Sequence, residues 1–327
     1  MFALVIFIIF FLFVLAVILK YKFTTKKRNL SGCHVMITGG SSGIGKCIAM
    51  EAAKIGANVT IVARNENRLL SSLEEIKSQC LYHNQKFNYL SVDLSGNYDM
   101  VKQAFNNAIK EMGPLYLFVN CAGMAICGRL EDNSSSDIMQ MINTNLISTI
   151  HATKAVINEM KLNGYGSIVI TSSLASFCGI YGLSVYSATK FALRGFAEAL
   201  SMEIKNNGIN VTLALPPDTD TPGFANENKT KPLETSMISQ TAKLYRPEEV
   251  GKKILQDALD GYFFSTIGFE GYMMTISCAG MAPLVSYSEL ICQIFGAGIL
   301  RLIMVIYQLS FNKIIKKCKS DRECNGA

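Results

Sequence analysis

Three side chains with reactive groups lie within one short stretch, residues 172–190, with the sequence SSLASFCGIYGLSVYSATK. Tyr186 and Lys190 are four residues apart, so a helix would place them on one face, with the ammonium one turn beyond the phenol. A phenol with a pKa of about 10 is protonated at pH 7, and a nearby cation favours the phenolate. We therefore expect Lys190 to lower the pKa of Tyr186 and to make it a general acid or base near neutral pH.

A serine lies upstream of this pair. Ser173 follows the apolar run SIVIT (167–171), which predicts a buried strand, and its hydroxyl could hydrogen-bond a substrate carbonyl. Ser172 takes that role if the end of the strand is shifted by one residue. Serine, tyrosine and lysine together suit the interconversion of a ketone and an alcohol, whereas Tyr-x-x-x-Lys alone also occurs on exposed helices.

A glycine-rich turn stands between a predicted strand, CHVMIT (33–38), and a predicted helix, 46–55. This order is typical of a phosphate-binding unit, because glycines let the backbone approach a pyrophosphate and the helix N-terminus offers free amides. The residues of this turn that we expect to contact a dinucleotide are Gly39, Ser41, Ser42, Gly43, Ile44 and Gly45.

The serine with Tyr-x-x-x-Lys, and the spacing Gly-x-x-x-Gly-x-Gly, together resemble the short-chain dehydrogenase/reductase family. The resemblance implies an α/β fold with a Rossmann-like, doubly wound parallel sheet, which agrees with the alternation of predicted strands and helices. It implies a nicotinamide cofactor, with Tyr186 as the proton donor and Lys190 bound to the nicotinamide ribose. It also implies that Asn145, on a long helix predicted at about 134–160, holds a water in a proton relay.

The same resemblance assigns further cofactor contacts beyond the glycine turn. Residues 120–123 resemble the Asn-Asn-Ala-Gly turn of the family, with a cysteine in place of the second asparagine. The implied contacts are Asp93 and Leu94 near the adenine, Asn120, Ala122 and Gly123 in that turn, and Thr219 and Thr221 near the nicotinamide amide and the phosphates.

The preferred nicotinamide cofactor is predicted from Arg64. This residue ends the second predicted strand, NVTIVA (58–63), where an enzyme that prefers NAD usually carries an acidic residue for the ribose hydroxyl. A cation there suits the 2′-phosphate of NADPH, and Arg68 or Lys46 could reinforce it. We therefore expect NADPH and NADP+ as the cofactor pair.

The N-terminal segment predicts a membrane anchor. Residues 1–19 carry no charge and would span about 28 Å as a helix, and five basic residues follow by position 28. Basic residues after the apolar run predict a lumenal N-terminus and a cytosolic body. The alternative is a cleaved signal and a secreted domain, in which four Asn-x-Ser/Thr sites, including Asn58, would be open to glycosylation.

Two further apolar segments, 271–288 and 290–311, predict a C-terminal hairpin that either crosses the membrane or dips into it. Pro283 interrupts the first segment, and Arg301 in the second costs about 3 kcal/mol on insertion scales. The expected organisation is an anchor at 1–25, a reductase domain at 30–268, membrane-associated segments at 271–312 and a basic cytosolic tail at 313–327.

Composition supports membrane contact and excludes several other classes of protein. Half of the 327 residues are hydrophobic and 17% are charged, and the net charge of +6 is concentrated beside apolar segments. This distribution indicates membrane topology and argues against nucleic-acid binding. The ten cysteines form no Cys-x-x-Cys pair, so we expect neither a metal site nor a disulfide framework.

The substrate is predicted from the membrane segments and from the run PPDTDTPGFANENKTKPLET (216–235). This run resembles membrane-bound lipid reductases of the family, which implies a long-chain lipid ketone, the 3-keto group of a sphingoid base, and residence in the endoplasmic reticulum membrane. Many members of the family form homo-oligomers, so a homo-oligomer is an open expectation.

Three other functions are weighed against this one. A membrane-anchored steroid or retinoid dehydrogenase would share the anchor and the catalytic residues. A serine hydrolase is suggested because 39–43 satisfies Gly-x-Ser-x-Gly, but the three histidines, His34, His83 and His151, all lie in the first half of the chain. A binding module without activity on the same fold is the third alternative.

Overall fold

One parallel sheet organises the computed structural model, which describes residues 29–325. Its strands are β1 (His34–Thr38), β2 (Asn58–Ala63), β3 (Phe87–Ser91), β4 (Leu115–Asn120), β5 (Gly166–Thr171), β6 (Ile209–Ala214) and β7 (Phe264–Ser265). They pair in the order β3-β2-β1-β4-β5-β6-β7, and every pairing is parallel. The order reverses between β1 and β4, where a doubly wound sheet forms its ligand crevice. The predicted Rossmann-like sheet is confirmed, whereas the predicted anchor at 1–25 lies outside the described residues.

Helices connect the strands and cover both faces of the sheet. They are α1 (Gly43–Lys54), α2 (Glu66–Lys77), α3 (Tyr98–Met112), α4 (Ser135–Ile142), α5 (Ser148–Asn163), α6 (Ser184–Ile204), α7 (Pro222–Glu227), α8 (Leu233–Ser239), α9 (Pro247–Asp260), α10 (Phe269–Ser277) and α11 (Tyr287–Asn325). Short 3-10 turns occur at Leu130–Asp132, Leu174–Ser176 and Lys205–Asn207.

The two faces of the sheet bury separate hydrophobic cores. In β1, Val35 and Ile37 pack in one core with α1, α2 and α9, while Met36 packs in the other with α3, α5 and α6. All five β1 side chains are buried, as expected of a parallel strand covered on both faces. Each fully buried aliphatic side chain contributes about 1.5–3 kcal/mol, so the strand ends are held firmly where the polar loops begin.

The helix predicted at about 134–160 is interrupted in its middle. A five-residue π-helix, Asn143–Ile147, separates α4 from α5. Two side-chain hydroxyls bond to backbone carbonyls next to this π-helix. The Thr149 hydroxyl donates to the Asn145 carbonyl at 2.9 Å, and the Thr153 hydroxyl donates to the Thr149 carbonyl at 2.8 Å. Single π-helical turns widen a helix locally, and here the widened turn carries the buried Asn145.

The predicted C-terminal hairpin is confirmed only in part. The first apolar segment forms the short α10, whose Met273 and Ile276 are buried against the body, so it is no free-standing span. Only α11, among residues 29–325, is long and apolar enough to cross a membrane, with a mean hydropathy of 2.1 over 18 residues, none of them buried. This finding rests on length and composition alone.

The basic residues near the C-terminus continue α11 instead of forming a separate extended segment. Cys318 is buried and its thiol donates to the Met237 sulfur of α8 at 3.4 Å. Arg322 pairs at 2.5 Å with the buried Glu234, which also lies on α8. The end of α11 is therefore attached to the catalytic body.

Candidate active site

A cavity of about 700 Å³ opens at the carboxyl ends of the strands. Its walls are the glycine turn after β1, the loops after β4, β5 and β6, the start of α6, and side chains of α7, α8, α10 and α11. Ligands of open parallel sheets bind at this edge, beside the reversal of strand order. Four of the residues predicted to be catalytic, Ser172, Ser173, Tyr186 and Lys190, therefore share one cavity with the glycine turn. Predicted site residues that do not line the cavity are described below.

The glycine turn packs directly on the end of β4. Gly39 has a φ of +67°, and a Cβ added to it would lie 2.9 Å from backbone atoms of Cys121 and Ala122. The Thr38 hydroxyl accepts the amides of Cys121 and Ala122, at 3.0 and 3.2 Å. A side chain at position 39 would separate the turn from β4. The close backbone approach is the cradle that a pyrophosphate requires.

The N-terminus of α1 faces the cavity across this cradle. A Cβ at Gly45 would lie 2.5 Å from the Gly39 carbonyl oxygen, so the first turn of the helix lies against the glycine turn. The predicted cofactor residues that line the cavity here are Gly39, Ser42, Gly43, Ile44 and Gly45. Ser41 does not line it; its carbonyl accepts the Ser72 hydroxyl at 2.9 Å and holds the turn to α2.

The catalytic candidates meet on the opposite wall. Tyr186 and Lys190 lie on α6, with the Lys190 ammonium 5.5 Å from the centre of the Tyr186 ring. The Ser173 hydroxyl is hydrogen-bonded to the Tyr186 hydroxyl, and the Lys190 ammonium donates to the Thr171 carbonyl at 3.1 Å. The three side chains therefore converge at the end of β5.

The two neighbouring serines differ in their contacts. The Ser172 hydroxyl is buried and donates to the backbone carbonyl of Lys190 at 2.9 Å, so it ties β5 to α6. Ser173 is the N-cap of the following 3-10 turn, accepts the Ala175 amide at 3.2 Å, and contacts Tyr186. This geometry favours Ser173 for contact with a substrate carbonyl, whereas Ser172 positions α6 relative to β5.

The predicted direction of the Tyr186 pKa shift is wrong. Burial raises the pKa of the Tyr186 hydroxyl, the hydrogen bond with Ser173 lowers it only in part, and the carboxylates of Glu227 and Asp218 raise it further. Burial also lowers the pKa of Lys190 to about 8. Removal from water disfavours both charged forms and outweighs the attraction between phenolate and ammonium that we expected. Tyr186 therefore holds its proton at neutral pH, as a proton donor must.

Asn145 is fully buried behind the catalytic candidates. Its amide nitrogen donates to the Met124 carbonyl at 2.9 Å and to the Thr189 hydroxyl at 3.1 Å, and its oxygen accepts the Met124 amide at 2.8 Å. A Cβ at Gly123 would lie 3.4 Å from that oxygen and 3.6 Å from the Lys190 nitrogen. The carboxamide and the ammonium thus border the same small space. A proton relay through this space stays a prediction.

The residues predicted to bind the adenosine end lie outside the cavity. Arg64 and Arg68 are exposed beyond β2, and Lys46 pairs with Glu75 at 2.5 Å. Asp93 is exposed and accepts the Ser95 hydroxyl at 2.7 Å; this bond lowers the pKa of the carboxyl, and Arg64 lowers it further. Leu94 is buried beneath this surface.

Asn120 does not present its side chain to the cavity. The side chain is buried, and its amide donates to the Thr153 hydroxyl of α5 at 3.0 Å. Ala122 and Gly123, by contrast, line the cavity. The predicted contact of Asn120 with a cofactor is therefore not supported by its side chain, which instead fixes the end of β4 to α5.

The loop after β6 covers the glycine turn. Thr221 caps α7 by accepting the Phe224 amide at 3.1 Å, and a Cβ at Gly43 would lie 3.1 Å from the Thr221 methyl group. The Thr219 hydroxyl is buried and donates to the Pro217 carbonyl at 2.7 Å. Both threonines line the cavity, which is where a cofactor-binding role requires them to be.

Sequence reasoning missed the polar group beside Tyr186. Asp218, Glu227 and Lys231 line the cavity, and Lys231 pairs with Glu227 at 2.9 Å. All three residues lie within the run 216–235 that predicted the substrate, but no spacing within this run indicated that their side chains line the cavity that holds Tyr186.

Apolar side chains make up most of the far wall of the cavity, which also includes Glu270 and Gln308. The apolar side chains on this wall are Met273, Met274 and Cys278 from and after α10, and Met304, Tyr307 and Phe311 from α11. Arg301 also lines the cavity, so the charge within the apolar segment of α11 faces the body of the protein. A cavity with a polar catalytic end and a mainly apolar far end can hold an amphipathic ketone.

The cavity wall of the described residues contains no histidine, which a serine hydrolase would need. His34 is buried at the start of β1, where its ring bonds with the Gly113 carbonyl and the Thr60 hydroxyl at 3.0 and 2.9 Å. This ring is at the opposite edge of the sheet from the Gly-x-Ser-x-Gly match. The hydrolase alternative therefore has no general base.

Known proteins share this fold and much of this sequence. The chain is 45% identical over 293 residues to a 3-ketodihydrosphingosine reductase of Bos taurus, which covers 90% of this chain and 88% of the relative. It is 44% identical over 303 residues to a 3-dehydrosphinganine reductase of Danio rerio, which covers 92% of this chain and 91% of the relative. A crystal structure of levodione reductase, 20% identical, has the same fold with a TM-score of 0.67 over 75% of this chain and 99% of that chain. The family model described as short chain dehydrogenase matches residues 33–232, and this chain belongs to that family.

Proposed function

We propose that this protein reduces the 3-keto group of a long-chain sphingoid base with NADPH, converting 3-ketodihydrosphingosine to dihydrosphingosine. One observation carries the proposal: Ser173 and Tyr186, which share a hydrogen bond, line a cavity whose far wall is built mainly from apolar side chains of α10 and α11. The names of the relatives from Bos taurus and Danio rerio describe the same reaction.

The residues present fit a nicotinamide dinucleotide. The contact of Gly39 with the end of β4 leaves a cradle for the pyrophosphate, and the amides at the start of α1 face it. The side chains of Arg64 and Arg68 are exposed near the end of β2 and form no salt bridge with another residue of 29–325. They are therefore available for a 2′-phosphate, which favours NADPH over NADH.

In the proposed reaction the bound nicotinamide supplies a hydride to the carbonyl carbon. Ser173 holds the carbonyl oxygen by a hydrogen bond, and Tyr186 donates the proton that this oxygen gains. The raised pKa of Tyr186 keeps this proton in place until the oxygen becomes basic. Lys190, whose ammonium donates to the Thr171 carbonyl, would bind the nicotinamide ribose, and Asn145 borders the space through which a relay would return the proton.

The proposed location is the endoplasmic reticulum membrane, with the catalytic domain facing the cytosol. Support comes from the apolar surface of α11 and from the order of apolar and basic residues at positions 1–28. Since α11 lines the cavity and also carries the apolar surface, a lipid could pass from the bilayer to Tyr186 without crossing water. A homo-oligomer remains a prediction from the family.

The test is an assay of membranes that contain the full chain, with NADPH or NADH and 3-ketodihydrosphingosine. We expect NADPH consumption and formation of dihydrosphingosine, and loss of turnover in Tyr186→Phe with NADPH binding retained. A steroid or retinoid ketone serves as the rival substrate, because a dehydrogenase for those compounds is the second candidate. Faster turnover of the rival, or full turnover by Tyr186→Phe, would refute the proposal.

A further inference from the structure

The polar end of the cavity carries more charge than ketone reduction needs. Asp218, Glu227 and Lys231 line the cavity together with Tyr186 and Ser173. Glu227 and Asp218 line the same cavity as Tyr186, and after burial, the largest influence, and the Ser173 hydrogen bond, their carboxylates raise the pKa of its hydroxyl. A neutral ketone would gain nothing from a carboxylate beside its oxygen.

Glu227 and Lys231 satisfy each other. Their charged groups are 2.9 Å apart, and the Lys231 side chain is only 3% exposed and also covers the Phe224 ring. Glu227 has a second partner in the Cys127 thiol. Each charge of this pair is matched within the wall, so the pair adds no net charge to the cavity.

Asp218 has no such counter-ion. Among residues 29–325, its carboxylate forms no salt bridge and receives one hydrogen bond, from the Ser239 hydroxyl of α8. That bond fixes the carboxylate and leaves acceptor positions for another donor. Together, Asp218, Glu227 and Lys231 carry one formal negative charge, which is complementary to one positive charge on a ligand.

We infer that Asp218 binds the protonated amine of the substrate and makes this enzyme specific for vicinal amino-ketones. The inference rests on the proposed function and adds a specificity determinant to it. The amine-bearing carbon of a 3-ketosphingoid base adjoins the carbonyl carbon, so an amine partner must line the cavity that holds Tyr186, as Asp218 does. Steroid and retinoid ketones carry no amine and cannot use this contact.

The position of Asp218 in the chain suits this role. It follows β6 directly, within the loop Pro216–Pro217–Asp218–Thr219, where Thr219 also lines the cavity. The backbone from Asp218 to Asp220 is held by Tyr245, whose amide donates to the Asp218 carbonyl at 2.9 Å and whose carbonyl accepts the Asp220 amide at 2.8 Å. A carboxylate on a fixed loop can distinguish substrates because little order has to be gained on binding.

The test compares two ketones of equal chain length, 3-ketodihydrosphingosine and the analogue that lacks the amine, in wild type, Asp218→Asn and Asp220→Asn. Asp220 is a matched control because it lies on the same loop, loses the same charge, and is exposed outside the cavity wall. We expect kcat/KM of wild type to favour the amino-ketone by about 30-fold or more, as for a desolvated charge pair. Asp218→Asn should reduce this preference to a few fold, while Asp220→Asn should leave it unchanged.

Several results would overturn the inference. Equal loss for both ketones in Asp218→Asn would assign a structural role to the carboxylate. Equal kcat/KM for both ketones in wild type would exclude the amine contact but would not contradict the proposed ketone reduction. Turnover of neither ketone would instead refute the proposed function. If Asp218→Asn fails to bind NADPH, the N-acetylated ketone in wild type decides: reduction as fast as the free amine excludes a charge-based contact.

Discussion

Arg322, three residues before the end of α11, pairs with Glu234 of α8 at 2.5 Å, and Glu234 is only 1% exposed. The last turns of the long apolar helix are therefore attached to the same small helix that supplies Thr235, Ile238 and Ser239 to the cavity wall. This contact therefore connects the C-terminal end of α11 to α8, a wall of the cavity.

Breaking this pair should loosen the end of α11. Arg322→Ala leaves the buried Glu234 carboxylate without its counter-ion, which should weaken the attachment of the helix end. We expect faster tryptic cleavage after the exposed residues Lys316, Lys317 and Lys319 in full-length protein in membranes, because cleavage requires local opening. Arg246→Ala, which breaks an exposed pair with Glu249, is the control and should not change cleavage at these sites. Unchanged cleavage in Arg322→Ala would show that the pair does not hold the helix.

Substitution of the two serines after β5 should have different effects, on kcat for Ser173 and on stability for Ser172. Ser173→Ala removes the hydroxyl that contacts Tyr186 and should lower kcat about 100-fold, as for loss of one donor to a developing oxyanion. Ser172→Ala removes a buried bond to the Lys190 carbonyl and should lower stability by about 1 kcal/mol with a smaller loss of kcat. Steady-state kinetics and thermal melting of both variants measure this. A larger kcat loss in Ser172→Ala would reverse the assignment.

The rate should fall in alkaline solution through Lys190. Its pKa is lowered to about 8 by burial, so the ammonium loses its proton above that pH, and kcat/KM should fall with it. Lys190→Arg should retain its charge and lack this alkaline decrease, even if its rate is lower at pH 7. The measurement is a pH profile of kcat/KM from pH 6 to 10. The same decrease in Lys190→Arg would assign it to another group.

Lys190 should make folding stability increase with pH, whereas it should make kcat/KM decrease with pH. Its pKa is lower in the folded chain, about 8, than the ordinary value of 10.5, so the unfolded chain binds more protons between these two pH values. Burial of this lysine therefore disfavours folding most below pH 8, and this penalty decreases as the pH rises through that window. Lys190→Met should reduce the pH dependence of the melting temperature between pH 7 and 10, whereas an unchanged dependence would contradict the burial effect.

The choice between NADPH and NADH should depend on Arg64. Arg64→Ala should raise the Kd for NADPH about tenfold, or about 1.4 kcal/mol, and leave the Kd for NADH almost unchanged. Arg129→Ala is the control, because Arg129 is exposed but bonded to Asp132. Nucleotide fluorescence titration measures both constants. Equal weakening of both nucleotides would mean that Arg64 does not contact the 2′-phosphate.

Local patterns predicted most of the fold, because the strands are short apolar runs and the turns carry glycine. The limits predicted for β2 (58–63) agree with the structure, and the glycine turn between β1 and α1 was predicted from its own residues. The placement of Tyr186 and Lys190 on one face of a helix was also predicted, since it depends only on the helical repeat. Each of these features is determined within about one turn or one strand.

The errors concern burial and long-range packing. The pKa of Tyr186 was predicted from one neighbour, but its direction is set by removal from water by many residues. The side chain of Asn120 donates to Thr153, on a helix more than thirty residues later, which its turn did not indicate; a cofactor contact of Asn120 stays a prediction. The first C-terminal apolar segment was predicted as half of a hairpin, but the body buries Met273 and Ile276 of α10.

By itself, the sequence determined the class of sheet, the glycine turn between β1 and α1 and the placement of Tyr186 and Lys190 on one helix face, because these depend on periodicity and on the conformations open to glycine. Only the tertiary structure decided which serine contacts Tyr186, which way its pKa moves, and that Asp218 and α11 share its cavity. Those outcomes depend on which distant segments exclude water from a group. No spacing along the chain encodes that exclusion, since it arises when the sheet brings loops from different parts of the chain to one edge.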